Sequence, residues 1–218
     1  MGEINLLTSH PSIKRNYDDR EKEKTPEIIK IAKQFGREFF DGEREYGYGG
    51  YVYDGRWKSV VKGMKKYWTL ADNFSVLDVG CGKGFMLHDF KELWPNCTIA
   101  GVDVSEYALD NSMPSVKSKL KLGSAEKLPF DDNSFDLVIS INSIHNLSIE
   151  KCKQAIREVS RVSRGHSYIT LDAWRNEQQR INLMKWVLTA ETYMHVDEWE
   201  KIFSSLGYHG DYWWFIAE

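Results

Sequence analysis

VLDVGCGKGFML, residues 76–87, is the stretch whose reading decides the fold. A short apolar run, Val76, Leu77 and Val79, carries one acid at Asp78 and then breaks into three alternating glycines, Gly80, Gly82 and Gly84. Apolar residues resume at once in helical spacing. The pattern predicts a buried parallel strand whose C-terminal end turns sharply into a helix. A turn stripped of side chains lets a ligand approach the main chain, above the positive end of a helix dipole.

Outward from this turn, strand and helix patterns alternate. Strands are expected over 75–79, 98–102, 120–122, 136–141 and 167–172, and helices over 84–93, 106–111 and 150–163. In the last helix Cys152, Ile156, Val159 and Val162 share the inward face. Such alternation forces parallel strands joined by right-handed crossovers. The expected fold is therefore α/β, a doubly wound, mostly parallel Rossmann-like sheet. The tail adds helical stretches at 177–188 and 196–206 and a last aromatic strand at 212–217. Sheets of this kind bind ligands at the C-terminal edge of their strands, near the topological switch point.

Ahead of the sheet two further units are expected. Residues 1–25 end in DDREKEKT and read as a charged, solvated and partly mobile arm. Residues 26–72 form an N-terminal helical and aromatic cap, and residues 73–218 the ligand-binding domain. Thr25 is an N-cap followed by Pro26, and Ile28, Ile31, Ala32, Phe35, Phe39 and Phe40 predict one amphipathic helix ending near Asp41 and Gly42. Between 46 and 57 stand four tyrosines, four glycines, an arginine and a tryptophan, a composition no regular helix tolerates. This segment is expected to close over the mouth of the ligand site, and a second helix over 57–68 leads into the core.

Composition narrows the function classes. The chain has 218 residues, 42% of them hydrophobic, and a net charge of −3, which gives no basic footprint for nucleic acid. Its three cysteines, Cys81, Cys97 and Cys152, are scattered without metal-ligand spacing, so neither a disulfide framework nor a metal site is expected. No apolar run reaches membrane-spanning length, and the first residues carry neither a secretory leader nor a myristoylation pattern. A cytoplasmic protein acting on a small-molecule substrate, away from membranes, is the expectation.

The glycine spacing excludes two common ligands. A dinucleotide fingerprint would place its third glycine on Phe85, and no Gly-Lys-Ser/Thr follows a four-residue spacer as a phosphate loop demands. Asp103 ends the second strand about 19 residues beyond Gly84, where an acid can accept both hydroxyls of a ribose. GSAEKLPF at 123–130, DDNSFD at 131–136 and NSIHN at 142–146 follow in order.

With these motifs the sequence resembles the class I S-adenosylmethionine-dependent methyltransferases, and among them the UbiE-like small-molecule type, over residues 74–207. The resemblance implies S-adenosylmethionine as cofactor and S-adenosylhomocysteine as product. It places Gly80, Cys81 and Gly82 beside the methionine part, with Asp78 organising the turn and reaching the amino group through water. Asp103 would hold the ribose, Val104 would pack on adenine, Ala125 and Glu126 would lie at its edge, and Asn142 would sit under the methionine part. The family closes its sheet with two antiparallel strands, of which only one can be placed, so both a monomer and a homodimer are expected states.

Other candidates rest on chemistry. Arg56 could hold the methionine carboxylate bidentately, and Tyr46 and Tyr48 could serve as lids or cofactor contacts. His145, just past the fourth strand, is the candidate general base. Trp174, Arg175, Trp186, Thr189, Tyr193, His195, Trp213 and Trp214 are candidates for acceptor recognition. Their aromatic and arginine content suits a sugar, an amino-acid derivative or a nucleotide-linked compound, methylated at oxygen or nitrogen. The rivals are an RNA-modifying methyltransferase, disfavoured because SINSIH at 140–145 lacks the signatures of base-amine and C5 methylation, and a non-catalytic cofactor-binding protein.

Overall fold

All five residues of the strand read from that stretch are buried. The computed structural model describes residues 2–11 and 15–218. Its strands are β1 (Ser75–Val79), β2 (Thr98–Asp103), β3 (Leu120–Leu122), β4 (Phe135–Ile141), β5 (Ser163–Trp174), β6 (Met194–His195) and β7 (Asp211–Phe215). They form one sheet in the order β3-β2-β1-β4-β5, with β6 and β7 both on the outer side of β5. All these pairings are parallel. The strand order reverses between β1 and β4, which puts the switch point at the end of the glycine turn.

The helices are α1 (Tyr17–Glu23), α2 (Pro26–Ala32), α3 (Arg37–Asp41), α4 (Trp57–Tyr67), α5 (Phe85–Leu93), α6 (Glu106–Asp110), α7 (Ile149–Val162), α8 (Glu177–Trp186) and α9 (Val196–Leu206). Successive strand residues face opposite sides, so Val76 joins Val60, Met64 and Phe90 in one core. Leu77 joins Ile156, Val159, Trp199 and Phe203 in the other. The α4–α5 pair thus covers one face of the sheet, and α7 with α9 covers the other.

Three expectations are corrected. The single helix expected to end near Gly42 is broken into α2 and α3, because Phe35 takes a left-handed φ of 49° and Gly36 starts the next helix. The break turns Phe39 and Phe40 toward the loop tyrosines: Phe40 stacks on Tyr48 at 5.8 Å. The charged arm, whose residues 1 and 12–14 lie outside the described residues, is folded onto the body. Asn16 caps α1, and Lys185 of α8 pairs with Asp18 and Glu21. Charge complementarity between two helices, invisible in local composition, docks it.

The sheet also closes without antiparallel strands. The outer edge of β7 is occupied by the start of the chain: Tyr212 N–H donates to Gly2 O at 3.0 Å and Ile4 N–H to Tyr212 O at 2.9 Å. An edge covered in this way offers little template for pairing with another chain.

The cap is locked onto the glycine turn by Lys83, the residue between Gly82 and Gly84. Its side chain is almost wholly buried, 6% exposed, and Nζ donates to Asp41 Oδ1 at 2.7 Å, Asp41 Oδ2 at 2.6 Å and Tyr51 O at 2.9 Å. Asp41 also accepts from Tyr51 N–H at 3.1 Å and Tyr107 O–H at 2.7 Å. Asp41 is a quarter exposed, but removing it leaves the buried Lys83 ammonium without its partner, at a loss of about 1–3 kcal/mol, whereas replacing both by apolar groups is milder. Urea denaturation should therefore find Asp41→Ala destabilised and the double variant Asp41→Ala/Lys83→Met less so. A double variant weaker than the single one would mean that this pair does not hold the cap.

Candidate functional site

At the C-terminal ends of β1, β2 and β4, beneath the cap, lies a cavity of about 370 Å³. Gly80 and Gly82 form part of its wall with left-handed φ of 83° and 52°. A Cβ on Gly80 would stand 1.9 Å from Ser143 Oγ, so the turn admits no side chain there. Gly80 N–H donates to Val102 O at 2.8 Å, which ties the turn to β2.

Asp103 closes the same corner. Its Oδ2 accepts from Gly82 N–H at 2.7 Å and its Oδ1 from Ser105 N–H at 2.9 Å. Burial pushes its carboxyl above the usual carboxylate range, while the N–H groups of Ser105, Gly82 and Val104 oppose that shift. The neighbouring Val104 keeps 53% of its surface accessible as cavity wall. Gly123, Ser124 and Ala125 continue the wall beyond it.

Asp78 stands one residue before Val79, buried inside the sheet, and is not part of the cavity wall. Burial, and next the charge of Asp103, raise its carboxyl to about 8. A group in that state responds to any cation brought to the glycine turn.

Asn142, at the end of β4, adopts a left-handed φ of 48° and is held by Thr170: Asn142 N–H donates to Thr170 Oγ1, and Thr170 O–H to Asn142 Oδ1, each at 2.9 Å. His145 follows in a short 3-10 turn, Ile144–Asn146, and is buried. Its Nδ1 accepts from Asp172 N–H at 3.2 Å, so the neutral ring carries its proton on Nε2. Burial lowers the ring's pKa and the Asp172 carboxylate, 3.6 Å away, works against that. The His145 carbonyl accepts from the N–H groups of Glu191 and Thr192 and so braces the loop after α8.

The aromatic loop contributes Tyr48 and Tyr51. Tyr51 stacks on Phe85 at 4.7 Å, and the Tyr48 ring lies 4.4 Å from it. Of the residues expected at the site, Tyr48, Gly80, Gly82, Asp103, Val104, Ala125, Asn142 and His145 border the cavity. So do Trp186 and Thr189.

The others do not. Arg56 stands before α4 with its guanidinium on Asp54, Nε to Oδ1 at 2.9 Å and Nη2 to Oδ2 at 2.6 Å. An acid two residues away captures it. Cys81 is buried under the turn, where burial first and the Asp78 and Asp103 charges next push the thiol well above its ordinary value, the opposite of an activated nucleophile. Glu126 pairs with Lys151 at 3.2 Å. Tyr46 lies away from the cavity walls, beside Glu45. Trp174 packs edge-on to Tyr193, Arg175 pairs with Glu3, and His195 caps α9 with Glu198 in a capping box. All four belong to the closing β5–β6 region, not to the cavity wall.

Sequence reasoning missed Tyr51, Ser143 and three arginines, Arg15, Arg20 and Arg44, which border the far end of the cavity around Trp186. Tyr51 was legible as part of the aromatic loop. The arginines are scattered over 30 residues of the arm and cap and form no local pattern.

With this geometry in place, comparison with known proteins gives a consistent result. Residues 76–165 match the methyltransferase domain family. The tRNA (carboxymethyluridine(34)-5-O)-methyltransferase of Arabidopsis thaliana is 30% identical over 146 residues, 66% of this chain and 34% of that protein. The demethylmenaquinone methyltransferase of Symbiobacterium thermophilum is 29% identical over 152 residues, 65% of this chain and 60% of that protein. The chain thus spans between a third and three fifths of these relatives' lengths. The solved YcgJ protein of Bacillus subtilis shares the fold with a TM-score of 0.54 and 24% identity, over 66% of this chain and 65% of that one. Over residues 76–165 the chain is thus similar to the methyltransferase domain family, and the sheet around that stretch has the fold of its solved neighbour.

Proposed function

We propose that this protein transfers a methyl group from S-adenosylmethionine to an oxygen or nitrogen of a small polar acceptor, such as a sugar, an amino-acid derivative or a nucleotide-linked compound. The observation that carries this reading is the cavity of about 370 Å³ joining the Asp103 corner to the end of β4. It has the size of a small-molecule site.

The residues present fit the cofactor. The Asp103 carboxylate accepts Gly82 N–H at Oδ2 and Ser105 N–H at Oδ1, with Val104 N–H also directed at it, and of its roughly four acceptor positions capacity remains for a ribose hydroxyl. The accessible face of Val104 suits a flat base. Gly80 and Gly82 let the methionine part approach the main chain, and Asp78 beneath them would ionise beside its amino group. When bound, the cofactor supplies a methyl group on a sulfonium, whose leaving group is a neutral thioether.

The chain's own work is positioning. Tyr48 and Tyr51 line the cavity on the side of the cap and supply ring faces to what binds there. His145, with its proton on Nε2, is suited to donate a hydrogen bond and orient the acceptor, in place of the base role its position first suggests. Holding a nucleophile in line within about 3–3.5 Å of the carbon can supply most of the rate without a base.

A second reading, modification of an RNA nucleotide, draws on the Arabidopsis relative, whose name gives a carboxymethyluridine of tRNA as its substrate. The net charge of −3 weighs against it. Filter binding of bulk tRNA at about 0.15 M salt separates the two, since nucleic-acid affinity must persist there to matter.

Isothermal titration should find saturable binding of S-adenosylhomocysteine and none of NAD; failure to bind S-adenosylhomocysteine would sink the methyl-transfer reading. Asp103→Ala should weaken that binding by about tenfold or more, as expected when hydrogen bonds to a charged group are lost. An unchanged affinity would remove Asp103 from the ribose.

Asp78 predicts a pH effect. Its folded value of about 8 lies above the ordinary 3.8, so between these values the folded chain holds a proton that the unfolded chain has shed. Stability without ligand therefore falls as pH rises through that window. Asp78→Asn should flatten the fall and raise the melting temperature most near about pH 8. Wild-type affinity for S-adenosylhomocysteine, whose amino group is cationic, should strengthen from about pH 6 to pH 8, and the variant should lose that rise. Melting curves parallel at all pH values would show that Asp78 is ionised throughout.

A further inference from the structure

Arg15, Arg20 and Arg44 converge on one ring. Their guanidinium carbons lie 5.2, 5.9 and 5.6 Å from the centre of Trp186, and Arg15 is also 4.5 Å from Phe215. All three, with Trp186, border the cavity. Three cations gathered around one ring, with Arg20 buried and Arg44 open to solvent, repel one another, and an anion between them would relieve that. The arginine beside it does lower the pKa of Arg20, after burial itself.

The carboxylates nearby offset the group only in part: the charges of Glu23 and Glu45 favour the Arg20 cation, but burial and Arg44 outweigh them. Glu23, half exposed, reaches Arg20 Nη1 only at 3.7 Å. Asp172 feels the charge of Arg15 but is itself pushed toward its neutral form by burial, and its neighbour is His145. Arg44 donates to the Gly47 carbonyl. Arg20 Nη1 donates to Glu45 O at 2.9 Å and Arg44 O at 3.3 Å, yet its Nε is buried with no partner, although the residue is only 7% exposed. A buried guanidinium N–H left unsatisfied is expensive, and native folds seldom leave one without a purpose.

Resting on the methyl-transfer reading above, we propose that the acceptor is an anion, a carboxylate or phosphate compound, whose charged group is held by Arg15, Arg20 and Arg44 with its body against Trp186. Arginine forks match both groups bidentately, and the indole face supplies apolar area beside them. The cofactor takes the Asp103 corner and the glycine turn, where Asp103 lines the wall and Asp78 lies buried beneath it.

The test is isothermal titration at constant ionic strength, with malonate as the carboxylate probe and inorganic phosphate as the phosphate probe. Wild-type protein saturated with S-adenosylhomocysteine should bind one of them saturably, the tighter probe identifying the class. Arg15→Gln and Arg44→Gln should each weaken that binding by about tenfold or more while S-adenosylhomocysteine affinity stays within about twofold. Arg15 stacks on Trp186 and Phe215 and meets the Tyr17 hydroxyl, and it takes no part in the carbonyl hydrogen bonds that Arg20 and Arg44 make to the loop at 44–47. Equal probe binding in the variants, or none in the wild type, would overturn the proposal. So would a tenfold loss of S-adenosylhomocysteine affinity in either variant, because the arginines would then be holding the cofactor's own carboxylate. If the wild type does not bind S-adenosylhomocysteine, the methyl-transfer reading fails by itself, and probe titration of the ligand-free protein still reports on the arginines.

Discussion

The Lys83 ammonium buried against the Asp41 carboxylate is the contact on which the site depends. Lys83 belongs to the glycine turn and Asp41 to the last residue of α3, so one ion pair joins the sheet's ligand edge to the cap. Its remaining donor goes to Tyr51 O, and Asp41 receives Tyr51 N–H in return. That double grip fixes the backbone of an aromatic loop which glycines would otherwise leave loose. A buried charge pair contributes little net stability, but it penalises misplacement heavily. The site therefore obtains its cap-side wall from positional specificity rather than from bulk burial.

The same economy operates at Asp103. Its carboxylate bonds Gly82 N–H and Ser105 N–H, holding the glycine turn to the start of α6. An acid that only served a ligand would be left half-satisfied without it. Here the structural bonds keep the side chain aimed into the cavity, so little ordering remains to be done on binding. Asp78 has no such support and sits near its neutral form. The two acids of one turn are thus tuned apart by their hydrogen bonds.

What the sequence made legible follows from locality. Gly80, Gly82, Asp103, Val104, Asn142 and His145 lie at or just past strand ends, and strand ends are readable from apolar runs; all of them border the cavity. The parallel sheet follows from the alternation for the same reason. Arg56 fails as a cavity residue because Asp54, two positions away, offers a closer bidentate partner. The arginines around Trp186 escape notice because 15, 20, 44 and 186 meet only after the arm folds onto α8. The docking of that arm depends on Lys185 meeting Asp18 and Glu21, a long-range match that local composition describes only as charged. Likewise the β7 edge is covered by residues from the opposite end of the chain.

These placements divide the cavity electrostatically. Asp103 of β2 lines the glycine-turn corner, and Arg15, Arg20 and Arg44 of the arm and cap line the wall around Trp186. Methyl transfer from a sulfonium is an in-line displacement, whose rate depends on holding the acceptor atom against the methyl carbon. Tyr48 and Tyr51 line the cavity on the side of the cap, and the Lys83–Asp41 pair holds their loop in place. On this view the cap is part of the chemistry. It places the Tyr48 and Tyr51 rings beside the glycine turn, where fixed side chains orient the reactants before they meet.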